Sequence, residues 1–453
     1  MALAGASLWK TRLLRFALGA SAPVTGAALG VLRNKWLAVH LQSAGLGVLG
    51  QVNSGQVWLG TLTSLGLGLP VARAVGAASA AGDDESIRRT VSTSAALVAL
   101  VALPVVLLGV ALAPWISAAL LGSPEHAVLV RISMVGVVGL AFQNLLQGWF
   151  AGRSDLVGSL ALAAGGGALA LAATLLLVPR LGLTGGAIGT AALFPTGVAA
   201  ALWVRRRRYA PFLTRRSGSL FEPERARRLV TIAAAALSLA IVEQGTLLAA
   251  RAHFLRVHGV AANGLFQAAI ALSQQIGAPF YTYLASYAFG RISGAPGPSG
   301  IRDYTRKQGV PLVLGAAGAF AAAMVVSTPL LRLFYSNRFD AARPMMAYLL
   351  FGEFCKVGVQ VWALGALPLK GPRLWVPIGL SYSAALAVAY PVLSRLAPGP
   401  SSLALAGAVA GAFSLGICGV LMSRAGVSLS GRDLAMVAAA LAGLALLARA
   451  LAT

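Results

Sequence analysis

Glu353 and Lys356 stand three residues apart inside a long apolar stretch, so both side chains project from one face of a helix and can form an ion pair. Glu243 lies inside a second apolar stretch, and Arg33 and Lys35 lie near the end of the first. A charge in hydrocarbon is unfavourable unless it faces water or a partner, so such residues are candidates for a functional site. The cations can hold an anion, and the carboxylates can accept a coupling ion.

Two interpretations of Glu353 and Lys356 remain open at this level. One is a structural pair that locks helix packing. The other is a water-filled cationic cavity, in which Lys356 meets an anionic ligand while Glu353 or Glu243 accepts the ion. Arg251 poses a similar choice at the end of its own apolar stretch, between snorkelling to lipid headgroups and contact with a ligand.

Membrane-spanning helices must position these groups. Hydrophobic residues make up 58% of the chain and charged residues only 11%, and a helix of about 20 apolar residues crosses a bilayer. The first six predicted spans are residues 16–39, 45–71, 91–112, 127–150, 156–178 and 185–204. The next six are residues 229–249, 262–289, 309–330, 345–367, 374–394 and 403–422.

The order of the spans predicts two six-helix lobes. The N-terminal lobe is expected at 1–204, a basic cytoplasmic connector at 205–228, the C-terminal lobe at 229–422, and an appended C-terminal helix at 423–453. The last apolar stretch, 434–451, contains Arg449 near its end, which leaves its crossing of the membrane open. No polar stretch is long enough for a separate soluble catalytic domain, so the function is expected among the helices.

The net charge of +24 arises from 36 Lys and Arg against 12 Asp and Glu. Most of the cations fall on alternate connectors, including 10–15, 73–89, 205–228 and 291–307, which is the positive-inside pattern and places the N-terminus in the cytoplasm. The run Arg205 to Arg208 is expected to orient the chain and to contact anionic lipid. A nucleic-acid partner is not expected.

Enzyme signatures are sparse. No lysine follows a glycine, so a Walker A loop is absent and the chain is not expected to be an ATPase. The four histidines lack the spacing of a zinc hydrolase, and neither a metal nor another cofactor is expected. Asp83, Asp84 and Glu85 precede Arg88 and Arg89, which favours a solvated, self-neutralising turn. Cys355 and Cys418 are interpreted as small core residues.

Several ordered motifs resemble one family. They are Ser7-Leu8-Trp9, Lys35-Trp36-Leu37-Ala38-Val39, Gly45-Leu46-Gly47, Leu65-Gly66-Leu67-Gly68 through Arg73, Gly82-Asp83-Asp84 and Ile87 to Ser94. Ser336-Asn337-Arg338-Phe339 and Gly352-Glu353-Phe354-Cys355-Lys356-Val357-Gly358 follow in the second half. Their order and spacing resemble Wzx-type polysaccharide flippases, and most nearly the version that exports enterobacterial common antigen lipid.

This resemblance implies an all-α exporter-superfamily fold, with two six-helix lobes around a central cationic cavity that alternate between inward-open and outward-open states. It implies an undecaprenyl-diphosphate-linked oligosaccharide as substrate. Members of this family have positive residues on the cavity wall near the diphosphate, so the resemblance implies that Lys35, Arg251 and Lys356 contact it. Glu353 occupies a position that is acidic in close relatives. With Arg33 these cations form the predicted substrate-binding set. The appended helix departs from the twelve helices usual for the family.

The predicted protein is therefore a flippase of the bacterial inner membrane, and not an enzyme. Its expected partners are the lipid-linked substrate, membrane lipids, a coupling proton or sodium ion, and a polysaccharide polymerase. Two alternatives stay open. A cationic-drug exporter of the same superfamily would need an acidic cavity, against which the cations at membrane depth argue. A membrane-embedded polymerase or ligase would be expected to carry a longer outer loop.

Overall fold

The computed structural model describes residues 2–214, 221–284, 288, 292 and 297–452, with side chains described from residue 25 and not for 210–214. Every regular element in these ranges is helical, and none is a β-strand. The side chains of residues 7–15, of Arg215 and Arg216, and of Arg291 lie outside the described set. The predictions made for those positions therefore stay predictions.

The helices of the first part of the chain overlap all six predicted spans. They are α1 (Ala2–Thr63), α2 (Gly68–Ala80), α3 (Asp84–Ala111), α4 (Ala113–Leu121), α5 (Ala127–Gly152), α6 (Leu156–Leu181) and α7 (Leu183–Thr214), with a 3₁₀ turn at Pro124–His126. The exposed faces of the long helices are apolar, as for Leu100, Leu103 and Leu107 of α3. Such faces suit lipid rather than water.

The second part begins with the longest helix. Its elements are α8 (Pro223–Tyr283), α9 (Gly297–Tyr304), α10 (Val310–Val325), α11 (Ser327–Phe334), α12 (Arg343–Ala363), α13 (Ala366–Lys370), α14 (Pro372–Leu396), α15 (Ser402–Arg424) and α16 (Gly431–Ala452). A π-helical turn covers Thr305–Gly309 and a 3₁₀ turn covers Asn337–Ala342. The appended stretch thus forms a helix.

Within the described residues, 9 helices are long and apolar enough to cross a membrane, and α8 and α16 are among them. The 61 residues of α8 would measure about 90 Å as one straight helix, some three times the hydrocarbon thickness. Gly259 interrupts α8 with φ 82° and ψ 169°, so 223–258 and 260–283 are separate helical arms. The chain is a multi-pass membrane protein.

Two boundaries differ from the sequence expectation. The predicted second span, 45–71, ends at Thr63, because Leu65 and Gly66 adopt positive φ values of 52° and 63° and break the helix. The region expected as an inner connector, 73–89, is instead mostly helical within α2 and α3. Val71 and Val75 are buried in α2, so packing holds this segment as a helix. The bend of α1 at Gln42 falls in the predicted gap between spans.

The chain divides into two compact units. Unit 1 contains Met1–Leu41 and Val52–Ile241, and unit 2 contains Gln42–Gln51 and Val242–Thr453. The lobe boundaries expected from the sequence stay a prediction.

In unit 1, α5 packs against α2, α3 and α7 around the buried rings of Trp149, Phe150 and Tyr209. Asp155, which caps α6, accepts hydrogen bonds from Arg205 and from the Tyr209 hydroxyl. Burial alone would raise the pKa of Asp155, but these hydrogen bonds outweigh it, so the pKa lies below its ordinary value.

The acidic turn of unit 1 is self-neutralising, as expected. The Asp83 carboxylate caps α3 by accepting a hydrogen bond from the Ser86 backbone N–H at 2.9 Å. Glu85 accepts hydrogen bonds from Arg88 and Arg89, which lie about one turn further along the helix.

In unit 2, α12 is the central helix, and most of its side chains are buried. α15 approaches it closely at two glycines, since a Cβ added to Gly411 would lie 2.9 Å from the Gly352 carbonyl oxygen. Cys355 and Cys418 are both free and buried, which confirms their interpretation as core residues. This packing leaves one edge of α12, at Lys356, for contacts with α8 and α14.

Candidate functional site

Lys356 forms an ion pair with Glu243 in unit 2. The ammonium nitrogen of Lys356, on α12, lies 3.6 Å from Oε1 of Glu243, on the 223–258 arm of α8. The Lys356 side chain is 25% exposed and the Glu243 side chain 51% exposed, so the pair lies at the surface of its unit rather than in the core. Both side chains therefore keep accessible surface.

Glu353 does not pair with Lys356 among the described contacts, although both lie on α12. The Glu353 carboxyl is buried, at 8% exposure, and accepts a hydrogen bond of 2.8 Å from the Tyr281 hydroxyl on the 260–283 arm of α8. Gly277 admits this carboxyl, since a Cβ there would lie 3.0 Å from Glu353 Oε1. The predicted mutual pair is thus replaced by contacts of each residue with α8.

Tyr382 completes the surroundings of Lys356. Its ring, on α14, lies with its centroid 4.0 Å from the Lys356 ammonium nitrogen, which is a cation–π contact. Lys356 is therefore held between an aromatic face and a carboxylate, and its three N–H donors can serve a further oxygen acceptor. We call Glu243, Tyr281, Glu353, Lys356 and Tyr382 the Lys356 cluster.

Sequence reasoning found three members of the Lys356 cluster and missed the two tyrosines. Tyrosine is ordinary in membrane helices, and no spacing along the chain links Tyr281 or Tyr382 to α12. Only the packing of the helices brings these two tyrosines to α12.

Arg251 occupies a different environment in unit 2. It is only 2% exposed, and its guanidinium donates to Asn263 Oδ1 at 3.2 and 3.3 Å. The Asn263 amide in turn donates to the Gly47 carbonyl at 2.8 Å. Arg251 and Asn263 stand on opposite sides of the Gly259 bend, so this contact joins the two arms of α8. The role of Arg251 in substrate binding stays a prediction.

Arg33, another member of the predicted substrate-binding set, lies in unit 1. Its Nε and Nη1 atoms are buried and have no hydrogen-bond partner among the described residues. Arg33 lines a cavity of about 200 Å³ together with Gln143, Gly30, Gly167 and Phe194. Two buried, unsatisfied guanidinium nitrogens beside a cavity can donate hydrogen bonds to an anion, because hydrogen bonds left unmade by a charged group are costly.

Lys35, two residues further along α1, is exposed. No group of three or more His, Cys, Asp or Glu side chains suited to a metal ion occurs within the described ranges.

Known proteins were compared with the chain in sequence and in fold. No protein-family model matches the chain. Over 389 residues the chain is 28% identical to the lipid III flippase of Escherichia coli strain K12, which covers 83% of this chain and 88% of that protein. The lipid III flippase of Shigella flexneri matches to the same extent.

Two solved structures show the fold. The lipid II flippase MurJ, in an inward closed conformation, superposes with a TM-score of 0.63 at 12% identity and covers 95% of this chain and 92% of its own. An inward-facing multidrug resistance MATE family transporter of the MOP superfamily superposes with a TM-score of 0.62 at 14% identity. The match covers 91% of this chain and 95% of the transporter.

The fold is similar to that of membrane transporters of the MOP superfamily. Within that fold, the chain is similar in sequence to lipid III flippases over most of its length, which confirms the resemblance to polysaccharide-lipid flippases that the motifs indicated.

Proposed function

We propose that this protein is a flippase, which moves an undecaprenyl-diphosphate-linked oligosaccharide from the cytoplasmic to the outer leaflet of the bacterial inner membrane by alternating access. The observation that carries the proposal is the partly exposed pair of Lys356 with Glu243, each inside a predicted span, in a chain similar to lipid III flippases over 83% of its length. The distribution of basic residues supports a cytoplasmic N-terminus.

The chemistry of the substrate requires fixed positive charge. A diphosphate does not enter hydrocarbon unaided, since the transfer of an ionised group from water is strongly unfavourable. Lys356 and Arg33 each offer N–H donors that replace lost water, and the isoprenoid tail can remain in the lipid. Lys35 and Arg251 complete the proposed set, Arg251 after a rearrangement that exposes its guanidinium.

Glu243 acts as a substitute for the substrate phosphate in the empty carrier. It occupies the position beside Lys356 that an anionic ligand would take, 3.6 Å from the ammonium nitrogen. A phosphate that binds Lys356 displaces this carboxylate, which is then an unpaired charge at membrane depth. The displaced carboxylate can then take up a proton or sodium ion, which couples ion uptake to substrate binding.

Glu353 is the second proposed carboxylate of the coupling step. Its hydrogen bond from Tyr281 links α12 to the 260–283 arm of α8, whereas the pair of Lys356 with Glu243 links α12 to the 223–258 arm. The two contacts therefore join the two arms of one bent helix to α12. A change of charge at either carboxylate alters the contact of one arm only, which is a means to convert ion binding into helix movement.

The test is reconstitution of the purified protein in vesicles with a fluorescently labelled lipid-linked oligosaccharide. The wild type is expected to move the label between leaflets without changing its length. Lys356→Ala is expected to abolish this movement, and in cells to leave lipid-linked repeat units on the cytoplasmic leaflet. Lys370→Ala, at an exposed lysine outside the cluster, is the matched control. Normal surface polysaccharide in the Lys356→Ala strain would contradict the proposal.

The same assay separates the alternatives. A polymerase or ligase would lengthen or transfer the oligosaccharide, and a drug exporter would leave the label in place while it transports organic cations. We propose that the chain has no catalytic activity of its own. A polysaccharide polymerase that consumes the translocated product is the proposed downstream partner.

A further inference from the structure

A second cavity lies in unit 2, away from the Lys356 cluster. It occupies about 650 Å³ between α15 and α16, next to the loop 425–430 that joins them, and it shares no residue with the cluster. Apolar side chains form most of its walls, among them Leu415 of α15 and Val437 and Leu441 of α16. This volume falls in the range of about 300–1,000 Å³ that is usual for ligand pockets.

The cavity exists because two consecutive helices do not pack closely on each other. α16 packs mainly against α10 and α12. The facing side of α15 carries three small residues at helical spacing, Ala412, Gly416 and Gly419, beside larger ones such as Leu415. A Cβ added at either glycine would meet nothing within 4 Å. Trp362 of α12, at 7% exposure, closes the cavity on a third side.

The loop end of the cavity is cationic. Arg424, the last residue of α15, lines it beside Ser423 and Ser428 and is exposed. No ion pair of Arg424 occurs among the described contacts. The nearby carboxylate of Asp433 is instead buried and accepts a hydrogen bond of 2.6 Å from the Ser430 hydroxyl. The positive charge of Arg424 is thus available to an anion at the mouth of an apolar cavity.

We infer that this cavity binds one acyl chain of an anionic phospholipid, whose phosphate lies at Arg424 and the hydroxyls of Ser423 and Ser428. The apolar walls fit the chain, and the charge of Arg424 complements the phosphate. The loop 425–430 follows the twelfth predicted span, so the predicted cytoplasmic N-terminus puts this loop in the cytoplasm as well. Anionic lipids of the cytoplasmic leaflet bind basic pockets between helices. The bound lipid would fill the gap between α15 and α16 and hold the C-terminal helix in place.

The experiment measures lipid binding to the full-length purified protein by native mass spectrometry, with phosphatidylglycerol and phosphatidylcholine as probes. We expect phosphatidylglycerol to bind at least tenfold more tightly than phosphatidylcholine. Gly416→Leu fills the cavity and Arg424→Gln removes its charge, and each is expected to weaken phosphatidylglycerol binding at least tenfold. The matched controls are Gly443→Leu, on an open face of α16, and Arg395→Gln, at an exposed position of α14.

Three results would overturn the inference. The first is equal affinity for the two phospholipids, and the second is unchanged phosphatidylglycerol binding in Arg424→Gln. The third is displacement of phosphatidylglycerol by an equimolar amount of undecaprenyl phosphate, which would assign the cavity to the substrate's tail. Arg424→Gln keeps the test valid if Gly416→Leu fails to fold. Because Lys356→Ala is expected to lose transport and keep phosphatidylglycerol binding, failure of this inference and failure of the proposed function are distinguishable.

Discussion

Replacement of Lys356 by glutamine removes one positive charge and keeps most of the side-chain volume. The structural loss is small, because Glu243 is half exposed and such an ion pair contributes about 0–1 kcal/mol. The cation–π contact with Tyr382 contributes about 0.5–1 kcal/mol more. A total loss of about 0.5–2 kcal/mol leaves a protein of ordinary stability folded.

The functional loss is expected to be larger. A hydrogen bond to a charged group contributes about 1.5–3 kcal/mol, and about 1.4 kcal/mol corresponds to a factor of ten. If the Lys356 ammonium holds a phosphate, Lys356→Gln should slow transport about 10- to 150-fold at limiting substrate. Lys356→Arg should retain more of the rate, since it keeps the charge but changes its geometry.

Glu243→Gln separates ligand binding from ion coupling. This variant removes the carboxylate that competes with phosphate for Lys356. Substrate affinity should rise up to about fivefold, in line with a pair of about 1 kcal/mol, while the dependence of transport on external pH or sodium should disappear. The assay is leaflet exposure of a fluorescent lipid-linked oligosaccharide in vesicles, with binding measured separately in detergent.

The reasoning fails if folded Lys356→Gln transports within twofold of the wild type, or if Glu243→Gln keeps the full ion dependence and binds substrate less well. Either result would show that the pair of Lys356 with Glu243 has only a structural role.

Three further predictions concern stability in detergent. Tyr281→Phe leaves the buried Glu353 carboxyl without its donor, so the free energy of unfolding should fall by about 1–3 kcal/mol, and Glu353→Gln in the same chain should restore part of it. Arg251→Met and Asn263→Ala should be non-additive, with a coupling of about 0.5–3 kcal/mol in a double-mutant cycle, because the two side chains bind each other across the Gly259 bend. Additive effects would show that this contact does not hold the bend. The pKa of Asp155 is lowered in the folded state, so its contribution to stability is present above its unfolded pKa of about 4 and is lost as the pH falls further. Thermal denaturation between about pH 6 and pH 3 should therefore show a decline that is shallower in Asp155→Asn, and equal slopes would contradict the assigned hydrogen bonds.

The sequence alone determined the class of the protein and the depth of its charges. Hydrocarbon accepts only long apolar helices, so span positions could be predicted within a few residues, and α3, α6, α14, α15 and α16 lie where they were expected. Glu243, Glu353 and Lys356 were evident as candidates, because any ionisable residue inside a span is unusual. The acidic turn at Asp83 was likewise predictable, because its contacts are local.

Only the tertiary structure decided which of these charges meet. Helical spacing relates residues on one helix, and it therefore suggested Glu353 as the partner of Lys356. In the structure, Lys356 instead forms an ion pair with Glu243 on one arm of α8, and Glu353 accepts a hydrogen bond from Tyr281 on the other. The gap between α15 and α16 has the same origin, since small residues permit close packing but do not impose it. Contacts between distant segments depend on how whole helices bend and pack, and no local pattern in the chain encodes them.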